Sequence, residues 1–116
     1  MVLVKQKARM SRCLLETVAA SIGPACRAVV GDVTVQADRE AMIAAAVAHG
    51  GKLDALVNNA ANMYRQPVDG YTEAFLKEAF DTNVISAMML SSLAVPHLAQ
   101  TQGAIIFIGS THTRRA

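Results

Sequence analysis

The chain predicts an α/β fold built on a parallel, doubly wound sheet, and three observations lead there. Segments with strand character and segments with helix character alternate along the 116 residues. The strand segments AVV, ALV and AIIFI are continuous apolar runs, not in-and-out alternations, as strands covered on both faces require. The segments between them place apolar residues at three- and four-residue spacing, the period of a helix with one buried face.

The elements follow in order. VLV at 2–4 reads as a short strand. Residues 9–22 carry Leu14, Val18 and Ile22 at four-residue spacing, a helix that Gly23-Pro24 stops. ACRAVVGDV at 25–33 is the second strand, and Asp38 to His49 the second helix, with Met42, Ile43, Ala46 and Val47 on one face and Gly50-Gly51 as its stop. His49 suits the negative end of that helix. A third strand covers 54–58, inside the stretch LDALVNNAA. After a loop around Pro67 and Gly70, Thr72 can cap a helix with Glu73 in its first turn. Helical pattern then continues, with a break, to about Leu98, and AIIFIGS at 104–110 is a strand entered through Gly103.

Composition bounds the function classes. With 53% hydrophobic and 17% charged residues the chain is a packed single domain and not a disordered one. The net charge of +2 comes from Lys5, Lys7, Arg9 and Arg12 near one end and Arg114 and Arg115 at the other, the pattern of a solvated surface and not of a nucleic-acid footprint. Cys13 and Cys26 have no CxxC partner and no histidine cluster, so no metal site is expected and the setting is reduced, hence cytoplasmic. The start, MVLVKQKAR, lacks a secretory signal. No Asp, Glu, Lys or Arg lies between Asp81 and Arg114, but Pro96, His97, Gln100 and Gln102 interrupt that stretch, and no membrane span is expected.

Crossovers between parallel strands are right-handed, so the carboxyl ends of the strands share one edge, where ligands of doubly wound sheets bind. Asp32, Asn58-Asn59 and Ser110 each stand at such an end. A core strand that finishes in two amides and two alanines is therefore a strand that meets its ligand.

GDVT at 31–34, LVNNAA at 56–61, DTNVISA at 81–87, PHL after a long helix and GAIIFIGS at 103–110, in this order, resemble the short-chain dehydrogenase/reductase family. The resemblance runs from about Val2 to Thr113. It implies NAD or NADP as cofactor and hydride transfer between the nicotinamide and a small alcohol or carbonyl substrate. Asp32, with Val33 beside it, would receive the adenine. Asn58, Ala60 and Ala61 would form the wall beside the adenosine and the nicotinamide ribose. Asn83 would hold a water of the proton relay on its backbone carbonyl, and Ser110 would donate to the substrate oxygen as hydride moves. The residues alone leave plainer roles open: Asp32 as a turn cap, Asn58 and Asn59 as ties between strands, Asn83 at a helix break, Ser110 in a turn. His97 and His112 have no partner placed by the sequence and no catalytic role is expected of them. Met88 and Met89 are read as packing residues, in the core or at an interface; the long helix of this family often packs on a partner subunit, so self-association or a homo-oligomer is expected, with no nucleic acid and no membrane.

Two family motifs are missing. No TGxxxGxG loop is present, and residue 1 falls just before the family's second strand. The expected fold is thus an incomplete Rossmann-like sheet, the family's second to fifth strands with their helices, in one partial domain over 1–116. Lys5 or Gln6 would lie where NAD and NADP are told apart, and Lys5 and Lys7 lean towards a 2′-phosphate. Nor is there a YxxxK pair, since Tyr64 is followed four residues on by Val68 and Tyr71 by Phe75. The lysine of that pair lowers the tyrosine pKa for acid–base work. The chain is accordingly expected to be a fragment or truncated relative of a short-chain oxidoreductase, inactive alone, with a non-catalytic nucleotide-binding or homologue-binding module as the alternative. The absent first strand would lie at the sheet centre, leaving unpaired neighbours and a chain that is poorly stable or self-associating. Ala61 stands where the family usually has glycine, a handicap if that position needs a positive φ or a very close approach of the cofactor.

Overall fold

The structure is a computed structural model that describes residues 2–5, 12–62 and 66–110. Strands β1 (Val2–Lys5), β2 (Arg27–Val30), β3 (Ala55–Asn58) and β4 (Ala104–Phe107) alternate with helices α1 (Arg12–Ile22), α2 (Gln36–Gly50), α3 (Glu73–Phe80) and α4 (Ser86–Thr101). A 3-10 turn, Val68–Gly70, precedes α3, and a π-helical turn, Asp81–Ile85, joins α3 to α4.

All strand pairing among the described residues is parallel, as the apolar runs predict. β1 pairs with β2, Val2 opposite Arg27 through Lys5 opposite Val30. β3 pairs with β4, Ala55 opposite Ala104 through Asn58 opposite Phe107. β1 and β3 do not pair with each other, so the strands form two two-stranded sheets.

The two sheets are joined by helices. α2 packs on β1, β2 and α4, and α4 packs on β3 and β4. Val33, Met42, Ile43, Leu53, Leu90, Ala94 and Leu98 form one buried cluster, with Val29, Leu56 and Ile105 packed against it from the strands. Fully burying each leucine or isoleucine of this kind stabilises by about 1.5–3 kcal/mol. On β3 and β4, Leu56 and Ile105 belong to this core while Val57 and Ile106 are exposed, so the alternation along each strand leaves one face bare.

Helix α1 differs from its sequence expectation in which stripe it buries. Leu15 and Ala19 are inside, whereas Leu14, Val18 and Ile22 are 48, 37 and 47% exposed. Two adjacent stripes of this helix are apolar, and the one resting on β1 and β2 is a single residue on from the one the spacing picked out. α2 starts at Gln36, two residues before Asp38, and ends at Gly50, capped by Gly51, whose φ of 73° lets its N–H reach the Val47 carbonyl at 2.8 Å. Thr72 caps α3 as expected, accepting from the Phe75 N–H at 3.2 Å. The anticipated break is the π-helical turn, after which α4 continues to Thr101.

From Glu73 to Thr101 the helical run of 29 residues is long and apolar enough, by length and composition, to cross a membrane. Counting only uninterrupted apolar residues does not flag it. In the structure one side of its second half, Ser86, Leu90, Ser91, Ala94 and Leu98, is buried in the core.

Candidate functional site at the strand ends

The end of β2 is a tightly bonded turn. The Val35 N–H donates to the Asp32 carbonyl at 3.0 Å. Asp32 Oδ1 accepts from the Thr34 N–H at 2.9 Å and from its hydroxyl at 2.7 Å, so the plainer role of Asp32 as a turn cap is realised. From the first turns of α2, Asp38 Oδ2 accepts the Asp32 N–H at 2.6 Å and Arg39 Nη1 donates to the Val33 carbonyl at 2.7 Å. The Val33 side chain is in the core, and its N–H has no partner among the described residues. Gly31 leaves room for this grip, because a Cβ there would lie 3.2 Å from Asp38 Cβ, a tight contact.

The end of β3 is bonded differently. Asn58 is half-buried and turned inward, its Nδ2 donating to Ser91 Oγ on α4 at 3.1 Å, while its carbonyl accepts the Ile108 N–H at 2.9 Å. It ties β3 to both β4 and α4, as the plainer reading had it. Asn59, Ala60 and Ala61 beyond it are exposed. Gln102 is the one non-glycine residue with positive φ among the described residues, so Ala61 is not in a left-handed conformation and its methyl brings no backbone strain.

Asn83 closes this corner. It sits in the π-helical turn, where the Ser86 N–H reaches back to the Asp81 carbonyl, one residue further than in an α-helix. Such single turns recur at functional sites. Its Oδ1 accepts the Asn62 N–H at 2.8 Å and its Nδ2 donates to the Asn62 carbonyl at 3.0 Å, so one side chain holds both backbone groups of the residue that follows the alanines. Ser110, three residues past β4, is exposed at the end of the strand paired with β3. The β3–β4 pairing therefore puts Asn58, Ala60, Ala61, Asn83 and Ser110 at one corner. Asp32 and Val33 stand at the end of β2, in the other sheet.

Four participants escaped the sequence reading: Asn62, Ser91, Asp38 and Arg39. Arg39 alone had a signal, since it occupies the same apolar stripe of α2 as Met42, Ile43 and Ala46. Gln6, Lys7, Tyr64 and His112 lie outside the described residues. His97 lines an open groove of about 450 Å³ between α2 and α4, with Glu40, Ile43, Val47 and Leu93, and none of the strand-end residues borders it.

Parallel strands wound with helices, carrying polar groups and small residues at their carboxyl ends, define a Rossmann-type domain. The chain belongs to the short chain dehydrogenase family, which it matches over residues 1–116, and relatives in this family are NAD(P)-dependent oxidoreductases. It is 39% identical over 101 residues to galactitol 2-dehydrogenase of Agrobacterium fabrum, covering 85% of this chain and 40% of that protein. To L-fucose dehydrogenase of Rattus norvegicus it is 35% identical, covering 71% of this chain and 31% of that protein. Its fold superposes on a short-chain dehydrogenase/reductase from Saccharomyces cerevisiae with a TM-score of 0.88 at 28% identity, covering 99% of this chain and 44% of the other. The chain thus spans less than half the length of these relatives.

Proposed function

We propose that these 116 residues form the cofactor-facing half of a short-chain oxidoreductase that transfers hydride between NAD or NADP and a small alcohol or carbonyl, and that they are inactive alone. The observation that carries this reading is the Asn83 clamp on Asn62, which brings the expected relay asparagine to the end of β3, beside the strand that leads to Ser110.

The residues present suit the cofactor at two points. At the end of β2, the Asp32 carboxylate and the Val33 N–H, which has no partner among the described residues, form an acceptor beside a donor, the pattern complementary to the amino group and ring nitrogen of adenine. At the end of β3, Ala60 and Ala61 are exposed and carry only methyl groups, which suits a wall a ribose can approach. When bound, the nicotinamide supplies or accepts the hydride. Ser110 donates a hydrogen bond to the substrate oxygen and stabilises charge developing there, and Asn83 steadies the loop that carries the alanine wall. A proton at that oxygen needs an acid or base, and the chain has no YxxxK pair to act as one. Cytoplasmic location and self-association belong to the same reading. Exposed Val84, Met88 and Val95 along the long helix offer an apolar surface to a second copy.

The test is turnover. The chain incubated with NADH or NADPH and a panel of ketones is expected to give no rate above blank, and a clear rate would overturn the reading. The alternative, a module that binds a full-length homologue, is favoured by the second edges of β1 and β3, which pair with no strand among the described residues. Co-purification with such a homologue, together with failure to bind adenine nucleotides, would select it.

A further inference from the structure

We propose that Arg39 is a positioning residue for adenine recognition, and that its buried guanidinium, acting through the Val33 carbonyl, fixes the turn on which Asp32 and the Val33 N–H meet the base. The inference rests on the nucleotide site proposed above and assigns that site a residue which does not itself touch the ligand.

Arg39 is 7% exposed, on the core face of α2 with Met42 and Ile43. Its guanidinium carries five N–H donors and a positive charge. Yet it forms no ion pair with a described residue; its bond is the one from Nη1 to the Val33 carbonyl at 2.7 Å, and its Nε is buried with no acceptor. A buried charge with one neutral partner is less stable than a well-packed apolar side chain of similar volume. Stability therefore does not account for an arginine here.

The geometry of the turn does. Three consecutive peptide planes run from Gly31 to Thr34. The first is held by the bond from the Asp32 N–H to Asp38 Oδ2. The third is held on both sides, its carbonyl by Arg39 and its N–H by Asp32 Oδ1. Because peptides are planar, these bonds leave the middle plane little freedom. That middle plane carries the Val33 N–H, and its carbonyl is closed by the Val35 N–H. Arg39 thus helps to aim the Val33 N–H, which has no partner among the described residues, beside the Asp32 carboxylate. Adenine presents an amino donor next to a ring acceptor, and hypoxanthine presents the reverse, so the aimed pair should prefer the first.

The experiment uses the full chain with Arg39→Met and Arg39→Lys. Three quantities are read: the melting temperature, amide exchange at Thr34 and Val35, and the affinities for 5′-AMP and 5′-IMP by titration. Expected for Arg39→Met are a melting temperature no lower than that of the unsubstituted chain, at least tenfold faster exchange at Thr34, and a loss of about tenfold in the preference for AMP over IMP, the size of one hydrogen bond to a charged group. Arg39→Lys, which keeps a donor, should recover part of the preference and serves if the methionine variant does not fold. A lower melting temperature with exchange and preference unchanged would overturn the proposal in favour of a packing role. Should the unsubstituted chain bind neither nucleotide, the nucleotide site of the previous subsection fails. The exchange rates then still decide the clamp, upholding it if Arg39→Met accelerates them and rejecting it if not.

Discussion

The two sheets reach the same kind of strand-end site by different means. At the end of β2, charged side chains from the following helix, Asp38 and Arg39, grip the backbone of the turn. At the end of β3, neutral amides and a hydroxyl, Asn83, Asn58 and Ser91, tie the strand to a helix that comes later in the chain. The first arrangement is local in sequence, within six residues. The second joins positions 21 and 33 residues apart. It follows that the β2 turn should survive local loosening elsewhere, whereas the β3 corner depends on α4 staying docked.

What unites the halves is helix contact and not strand pairing, since α2 and α4 touch while β1 and β3 do not pair. The largest expected effect therefore lies in that helical bridge. Leu98, 5% exposed in the common cluster, is expected to lose about 2–5 kcal/mol of stability on truncation to alanine. Against a total of about 5–15 kcal/mol for an ordinary domain, that is enough to unfold a chain lacking a continuous sheet. Chemical denaturation followed by helix signal and by amide exchange in β2 and β4 should show both sheets lost together. Two separate transitions would mean that the halves are independent and that the bridge does not unite them.

Much of this arrangement was legible in the residues. Continuous apolar runs called for parallel strands, and the order of Asp32, Asn58, Asn83 and Ser110 placed each of them at a strand or helix end. Three things were not legible, each for a physical reason. Leu14, Val18 and Ile22 showed that α1 is a helix but not which of two neighbouring apolar stripes turns inward, because that depends on what lies on either side. Asn83 could be placed at a break, yet its partner Asn62 is met only when a π-helical turn swings the amide across to the β3 loop. The grip of Arg39 needs three-dimensional proximity of α2 to the turn before it, which Gly31 allows and spacing does not reveal.

A change confined to one sheet sharpens the comparison. Gly103 leads into β4, and a Cβ there would lie 2.5 Å from the Asp54 carbonyl oxygen and 2.8 Å from Leu98 Cδ2. The backbone cannot yield easily, because that same oxygen accepts the Ala104 N–H at 3.0 Å to set the β3–β4 register. Gly103→Ala should destabilise by about 1–3 kcal/mol, in the manner of overpacking. Its signature should be faster exchange at Ala104 to Ile108 with the Asp32 turn unaffected. Equal loosening of β2 would show that strain passes through α2 and that the two ends are not separable.

The smallest effect tests the amide clamp alone. Asn83→Asp keeps an oxygen to accept the Asn62 N–H but replaces the donor to the Asn62 carbonyl with a second oxygen, setting a carboxylate against a carbonyl. The residue is exposed, so water can take over the orphaned groups and the stability loss should be only about 0.5–1.5 kcal/mol. Exchange is a finer probe than melting at that size. The expectation is faster exchange confined to residues 60–62, since the Asn58–Ser91 bond still fixes the strand itself. If the whole of β3 loosens instead, the corner hangs on Asn83, and its amide contributes to the fold as well as to the site. If nothing changes, the loop is held by the strand end alone, and the long-range bonds that distinguish the β3 corner from the β2 turn do not order it.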